Sequence, residues 1–294
     1  MIVAPFVTRF APSPSGLLHL GHAFSALTAW RAAQEAGGRF LLRIEDIDKG
    51  RSRPAFETAI AEDLAWLGVT WERPVRRQSE HLEGYRAALL GLRDRGLLYR
   101  CFGTRRERLA DIGRAPHGPA PVHRGGPLAP SQEARRLAEG APFAWRLSVD
   151  AARAELGDIS ALHFFEEGAG PQGEHGRLAA EPERLGDVIL GRKDGAVAYH
   201  LAVVLDDAVQ GVTHVVRGSD LFEAAHIQRL LQALLDLPTP TYRHHRLIVD
   251  AHGRRLSKRD GGSTVAGLRA AGMTPSQVKA MVGLDDHSLL AAAR

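Results

Sequence analysis

The sequence predicts an α/β protein: an open parallel sheet, split by an inserted subdomain and followed by a short helical tail. Three observations lead there. The first fifty residues read strand, helix, strand; a Gly-, Pro- and Arg-rich stretch interrupts the chain from 103 to about 186; strand-like and helix-like runs then resume up to residue 250. Strand–helix–strand units make parallel pairs, because the crossover returns the second strand alongside the first in the same direction. The expected divisions are 1–102 and 187–250 for the two halves of the sheet domain, 103–186 for the insertion, and 251–294 for a basic loop and tail.

Each element has its own reason. FVTRF is a short β-type run, and PSPSG behind it is a turn-rich break. From His19 to Glu35, Leu20, Ala23, Leu27, Trp30 and Ala33 recur at helical spacing, and Gly37 and Gly38 end the helix. RFLLRI follows as a buried strand. Residues 57–67 and 82–95 are amphipathic helices. The insertion reads as loops, short strands and helices rather than core, PFAWRLSV being one of its few apolar segments. AYHLAVVLDD, THVVRG and HHRLIVD then read as strands, with EAAHIQRLLQALLDL a helix between the last two. In TPSQVKAMV, Thr274 is an N-cap, Pro275 the first helical residue and Gln277 the partner in a capping box.

Composition narrows the function classes. At 294 residues with 44% hydrophobic and 24% charged residues, the chain can fill a globular core. Its net charge of +4 permits a nucleic-acid partner without demanding one. Cys101 is the only cysteine, which rules out an intramolecular disulfide and fits a reducing cytoplasm. No apolar run approaches the ~20 residues of a membrane span, and MIVAPFVTRF lacks the pattern of a secretory leader. Of 38 Lys and Arg, only Lys49, Lys193, Lys258 and Lys279 are lysines. A lysine kept inside GRRLSKRD at 253–260 therefore stands out, because its ammonium is a compact point charge and not a planar fork.

The residues that carry chemistry gather at the ends of the expected strands. In RFAPSPSGLLHLGH, His19 and His22 stand three apart at the start of a helix, where backbone donors and the helix dipole favour an anion. Gly21 between them leaves room for a base or phosphate to approach the backbone. Glu45 follows RFLLRI, Asp206 and Asp207 follow AYHLAVVL, and Arg217 follows THVV. Open α/β sheets bind ligands at the carboxyl ends of their strands, so a shared crevice is expected. Taken singly, these residues read equally well as helix caps and surface ion pairs.

RFAPSPSGLLHLGH resembles the HIGH signature of class I aminoacyl-tRNA synthetases in the form of their glutamate branch. RIEDID at 43–48, AYHLAVVLDD, VTHVVRGSDL at 212–221 and RLSKR at 255–259 follow in that family's order, the last resembling the KMSKS signature. The resemblance spans most of the chain outside the insertion. It implies a Rossmann-like parallel sheet and ATP-dependent activation of L-glutamate, with Mg²⁺ accompanying ATP. Only residues 260–294 follow the last signature, so no anticodon-binding domain is expected. The resemblance therefore narrows to the glutamyl-Q tRNA(Asp) synthetase family, stand-alone paralogues of the glutamyl-tRNA synthetase catalytic core. That family implies transfer of glutamate to queuosine in the anticodon of tRNA(Asp), by a cytoplasmic protein expected to be a monomer.

By the same resemblance, Arg9, Phe10, Ala11, Pro12, Ser13, Glu45, Tyr199 and Arg217 surround the amino acid. Arginine forks suit its carboxylates, Glu45 its ammonium, and Tyr199 adds an orienting hydroxyl. His19, Gly21, His22, Leu256, Ser257 and Lys258 fall to ATP. His19, His22 and Lys258 are the catalytic group, the lysine neutralising charge on the departing pyrophosphate. Glycines 253, 261 and 262 suit a loop that closes over ATP and reopens. RNA would meet the catalytic face and the Arg105, Arg106, Arg108, Arg114 and Arg124 cluster, for which a solvated basic face is an equal reading. Zinc-binding relatives carry a C-x-C pair and a later Tyr and Cys, where this chain has Cys101, Phe102, Gly103, Pro119 and His123. Cys101, His117 and His123 are fewer than the four N/S ligands that a structural zinc takes, so none is expected. Arg255 stands where the signature usually begins with lysine. Three alternatives stay open: a truncated glutamyl-tRNA synthetase charging tRNA(Glu), a small-molecule adenylyltransferase, and a non-catalytic RNA-binding paralogue.

Overall fold

The structure, a computed structural model, describes residues 5–103, 123, 125–248 and 264–284. The chain forms two compact units, one made of Met1–Glu80, Val212–Gly218 and His245–Arg294, the other of His81–Gly211 and Ser219–His244.

In the first unit, β1 (Val7–Phe10) and β2 (Arg39–Ile44) pair in parallel, from Val7↔Arg39 to Phe10↔Leu42, and β3 (Arg76–Arg77) joins β2 in parallel. The intervening helix α1 (Leu20–Glu35) buries Ala23, Phe24, Leu27 and Ala33 against this sheet. Gly37 turns the chain at φ +58°, and Gly38 passes so close to β1 that a Cβ would lie 2.3 Å from the Phe6 carbonyl oxygen. Only glycine permits that approach. Strand β9 (His214–Gly218) runs beside β1, where the Thr213 N–H donates to the Val7 carbonyl at 2.9 Å. Helices α2 (Pro54–Trp66), α8 (Val265–Ala270) and α9 (Pro275–Met281) complete a core containing Ile44, Ile60, Leu64, Val216, Val265 and Val278. Thr274 and Gln277 close the expected capping box on α9.

The second unit holds α3 (Leu82–Asp94), β4 (Leu98–Cys101), α4 (Pro130–Ala138), β5 (Ala144–Leu147), α5 (Val149–Leu156) and β8 (Ile189–Gly191). Strands β4, β5 and β8 form one antiparallel sheet. Strands β6 (His163–Glu166) and β7 (Gly176–Ala179) form an antiparallel hairpin. On its other side β6 meets β10 (Thr241–His245) in parallel, at Tyr242↔Glu166. Helices α6 (Tyr199–Val209) and α7 (Phe222–Leu234) pack on one another.

Three expectations are corrected. AYHLAVVLDD is helix α6, not a strand: His200 through Val204, Asp206 and Asp207 are all buried, so the apolar run shows no helical stripe. A run buried all round looks the same to periodicity in either state. Among its described residues HHRLIVD overlaps a strand only at the first two, since β10 ends at His245 and Arg246–Ile248 carry no regular structure. The stretch read as lacking core contributes Ala144, Leu147, Val149, Ala152, Ile159 and Phe164 to the buried interior.

Candidate active site at the strand ends of the first unit

The start of α1 is built by the two histidines themselves. His19 is the N-cap, in extended conformation at φ −106° and ψ 173°. Its Nδ1 accepts from the backbone N–H of Gly21 at 3.1 Å and of His22 at 3.4 Å. In return, the His19 N–H donates to His22 Nδ1 at 3.2 Å, and the two rings stack with centroids 3.7 Å apart. This is a capping box made from histidines, at the spacing that Ser/Thr and Glu/Gln use elsewhere. Because each Nδ1 accepts, a neutral ring at either position carries its N–H on Nε2. Gly21 serves the same arrangement: a Cβ there would lie 3.0 Å from His19 Cε1.

The arginines and the carboxylate sit at neighbouring strand ends. Arg9 lies on β1 and Arg217 on β9, 4% and 5% exposed, and Glu45 directly follows β2. The Glu45 N–H donates to the Pro12 carbonyl at 3.0 Å, tying the chain after β2 to the chain after β1. Arg43, wholly buried two residues before Glu45 on the same strand face, donates to Glu45 Oε1 at 3.2 Å. That contact aims the carboxylate. Phe10 and Pro12 are buried, Ala11 is half-buried and Ser13 is exposed. Asp46 accepts from both the N–H and the hydroxyl of Ser79, at 2.8 and 2.5 Å, which secures the RIEDID turn. Two guanidinium groups and an aimed carboxylate on adjacent strands can hold an amino acid by both its charges.

The segment after β10 returns to the same helix. Thr264 forms an isolated antiparallel bridge with His19, and the Val265 N–H donates to the Leu18 carbonyl at 2.8 Å. Leu256, Ser257 and Lys258 lie outside the described residues. Tyr199 is the first residue of α6 in the second unit, half-buried, with its ring edge-on to His200. Asp206 and Asp207 do not sit at a strand end. They are buried in α6, where Asp206 accepts from the Tyr85 hydroxyl at 2.6 Å.

Cys101 ends β4, and the carbonyls of Phe102 and Gly103 are occupied by the Lys193 ammonium at 3.1 and 3.0 Å. His123 pairs through its backbone with Gly186 and Asp187. Among the described residues no group of three His, Cys, Asp or Glu could hold a metal ion. Pro119, His117 and the arginines from 105 to 124 lie outside them.

Sequence reasoning passed over Arg43 and Ser79. The first had a visible signal, a charge within the apolar run Phe40–Ile44, two residues before a site carboxylate. Ser79 had none, since its partner lies 33 positions away.

This arrangement, a histidine-capped helix behind a parallel sheet with charged strand ends, is that of a nucleotide-dependent synthetase. The chain belongs to the family described as tRNA synthetases class I (E and Q), catalytic domain, which it matches over residues 5–164 and 165–284. A glutamyl-Q tRNA(Asp) synthetase from Rhodobacter capsulatus is 47% identical, over 95% of this chain and 100% of that protein. Another from Nocardia farcinica is 44% identical, over 93% and 82%. Among solved structures, a glutamate tRNA ligase from Elizabethkingia meningosepticum in complex with its amino acid superposes with a TM-score of 0.71 at 26% identity. That match covers 95% of this chain and 60% of the ligase. Among the described residues no helix is long and apolar enough to cross a membrane.

Proposed function

We propose that the chain activates L-glutamate with ATP in the absence of tRNA and transfers it to queuosine in the anticodon of tRNA(Asp). One observation carries the reading: the identity to the Rhodobacter capsulatus synthetase runs over that protein's entire length. The glutamate–tRNA ligase of Prochlorococcus marinus is, by contrast, 38% identical and matched over 55% of its length.

In the first step a glutamate carboxylate oxygen attacks the α-phosphorus, a P–O bond forms, and pyrophosphate leaves. Arg9 and Arg217 hold the substrate carboxylates, Glu45 holds the ammonium, and Tyr199 orients the ligand. Glutamine in place of glutamate leaves an arginine without its charge partner, which favours glutamate strongly. His19 and His22 donate from Nε2 to the phosphate chain, and Lys258 neutralises the leaving group. Mg²⁺ arrives with ATP, bound through its phosphates. In the second step a hydroxyl of the modified nucleoside attacks the glutamyl carbonyl, and AMP leaves. The proposal includes a sheet domain of 1–102 and 187–250 interrupted at 103–186, a monomer in the cytoplasm, and no structural zinc.

Glutamate-dependent ATP–pyrophosphate exchange without tRNA tests the first step, and its absence refutes tRNA-independent activation. Labelled glutamate is expected on tRNA(Asp) carrying queuosine and not on the unmodified transcript. Label at the 3′ end of tRNA(Glu) would establish the truncated-ligase reading instead. Elemental analysis finding one zinc per chain would overturn the metal-free insertion.

A further inference from the structure

One face of the β6–β7 hairpin is core and the other is open. Phe164 and Glu166 point inward, 2% and 0% exposed; Phe164 meets Phe222 and Tyr242 edge-on, and Glu166 pairs with buried His244 at 2.5 Å. The pleat therefore turns Phe165 outward, and it is 47% exposed. Directly across the hairpin stands exposed Arg177 on β7, the outer strand in the order β7–β6–β10. Opposed residues on an antiparallel pair lie about 4.5–5.5 Å apart at Cβ, so ring and guanidinium are neighbours.

Neither is committed. No ring stacks on Phe165 and no cation covers it among the described residues. The guanidinium of Arg177 comes within 3.4 Å of His163 Nδ1, but that nitrogen is 2.6 Å from the Ala161 carbonyl and so carries a proton of its own. Two donors facing each other make no bond, and Arg177 is left as a cation without an acceptor there. Exposed His175 stands nearby on the hairpin, its Nδ1 donating to the Gly168 carbonyl at 3.0 Å. Of the neighbouring acids, Glu167 is already neutralised by Arg243 at 2.8 Å.

An exposed ring beside an unneutralised cation, on a rigid sheet, is the arrangement that takes a base on its π-face and the phosphate on its charge. An arginine on an outer strand also discourages pairing with a second strand, which argues against a copy of the chain as occupant. We propose that this face is a contact for single-stranded RNA, an unpaired base stacking on Phe165 with its phosphate met by Arg177. The inference rests on the reading that the chain acts on a nucleotide in an RNA loop.

The test is fluorescence anisotropy of the full chain with a labelled anticodon stem–loop, and with a duplex of equal length as control. Phe165→Ala is expected to weaken stem–loop binding about 5- to 100-fold, as loss of one stacked base does, while Phe165→Trp keeps it. Arg177→Gln should weaken binding and flatten its salt dependence by about one phosphate contact. Glutamate-dependent pyrophosphate exchange should be equal in all variants. Unchanged affinity in Phe165→Ala, an equal loss on duplex, or a protein dimer that Phe165→Ala dissociates would overturn the proposal. If the parent exchanges pyrophosphate but binds no stem–loop, this inference falls and the activation reading stands. If exchange is absent but the variants lose RNA binding as expected, the reverse holds.

Discussion

Asp63 offers a prediction whose size follows from the structure. It lies on α2 with its side chain wholly shielded from solvent, and neither carboxylate oxygen has a hydrogen-bond partner among the described residues. The nearest cation is the Arg269 guanidinium of α8, at 3.5 Å. Burial pushes the Asp63 pKa from the ordinary 3.8 up to about 6; Arg269 pulls it partly back, and Glu62 adds to the rise. The sign is then determined. Between pH 3.8 and 6 the native state keeps a proton that the unfolded chain gives up, so stability falls as pH rises through that window. At about 1.4 kcal/mol per pKa unit, the loss above pH 6 is about 3 kcal/mol. Asp63→Asn has nearly the same shape and does not ionise. Its stability relative to the parent should therefore improve by about 2.4 kcal/mol between pH 4 and pH 7, whatever constant offset the amide introduces. Urea unfolding at several pH values, followed by tryptophan fluorescence, to which Trp66 on the same helix contributes, measures this difference. Parallel pH curves for parent and variant would refute the burial argument. A variant that loses ground as pH rises would show instead that Arg269 holds the carboxylate ionised.

The remaining predictions concern the site and its supports. Arg43→Lys should raise KM for glutamate about 10-fold or more in pyrophosphate exchange and leave KM for ATP unchanged, because a charge-assisted bond to Glu45 is worth about 1.5–3 kcal/mol; equal changes in both constants would deny Arg43 a positioning role. Lys258→Arg should lower turnover substantially with the melting temperature unchanged, since a planar fork does not replace a compact ammonium; equal turnover would return that loop to a solvated basic stretch. Thr274→Ala should cost about 1 kcal/mol in urea unfolding by removing the cap of α9; an unchanged midpoint would show that packing of Val278 alone holds the helix.

The readable parts of this chain are those whose partners lie a few residues apart. The β1–α1–β2 unit shows in its periodicity and its paired glycines, and the α9 capping box in the spacing of Thr274 and Gln277. His19 and His22 show the same three-residue spacing, but histidines are not the usual capping pair, so their mutual bonds could not be read beforehand. Helix α6 misled because burial on every side removes the stripe that distinguishes helix from strand. Glu45 and Arg217 fall at strand ends as expected, because a strand's length and exit are local properties, whereas Asp206 and Asp207, expected beside them, lie in a helix.

What the sequence determined alone was therefore the order of the signatures and the charges they bring to the strand ends. Spacing along one helix or strand is enough to set those. The tertiary structure decided which groups lose their water and which keep it. Asp63 meets Arg269 206 positions along the chain, which makes a routine helix aspartate a buried acid. The turn between β6 and β7 sets Arg177 opposite Phe165, and packing of Phe164 on Phe222 makes that face the open one. Burial depends on neighbours that only the completed fold supplies, and electrostatic strength depends on burial.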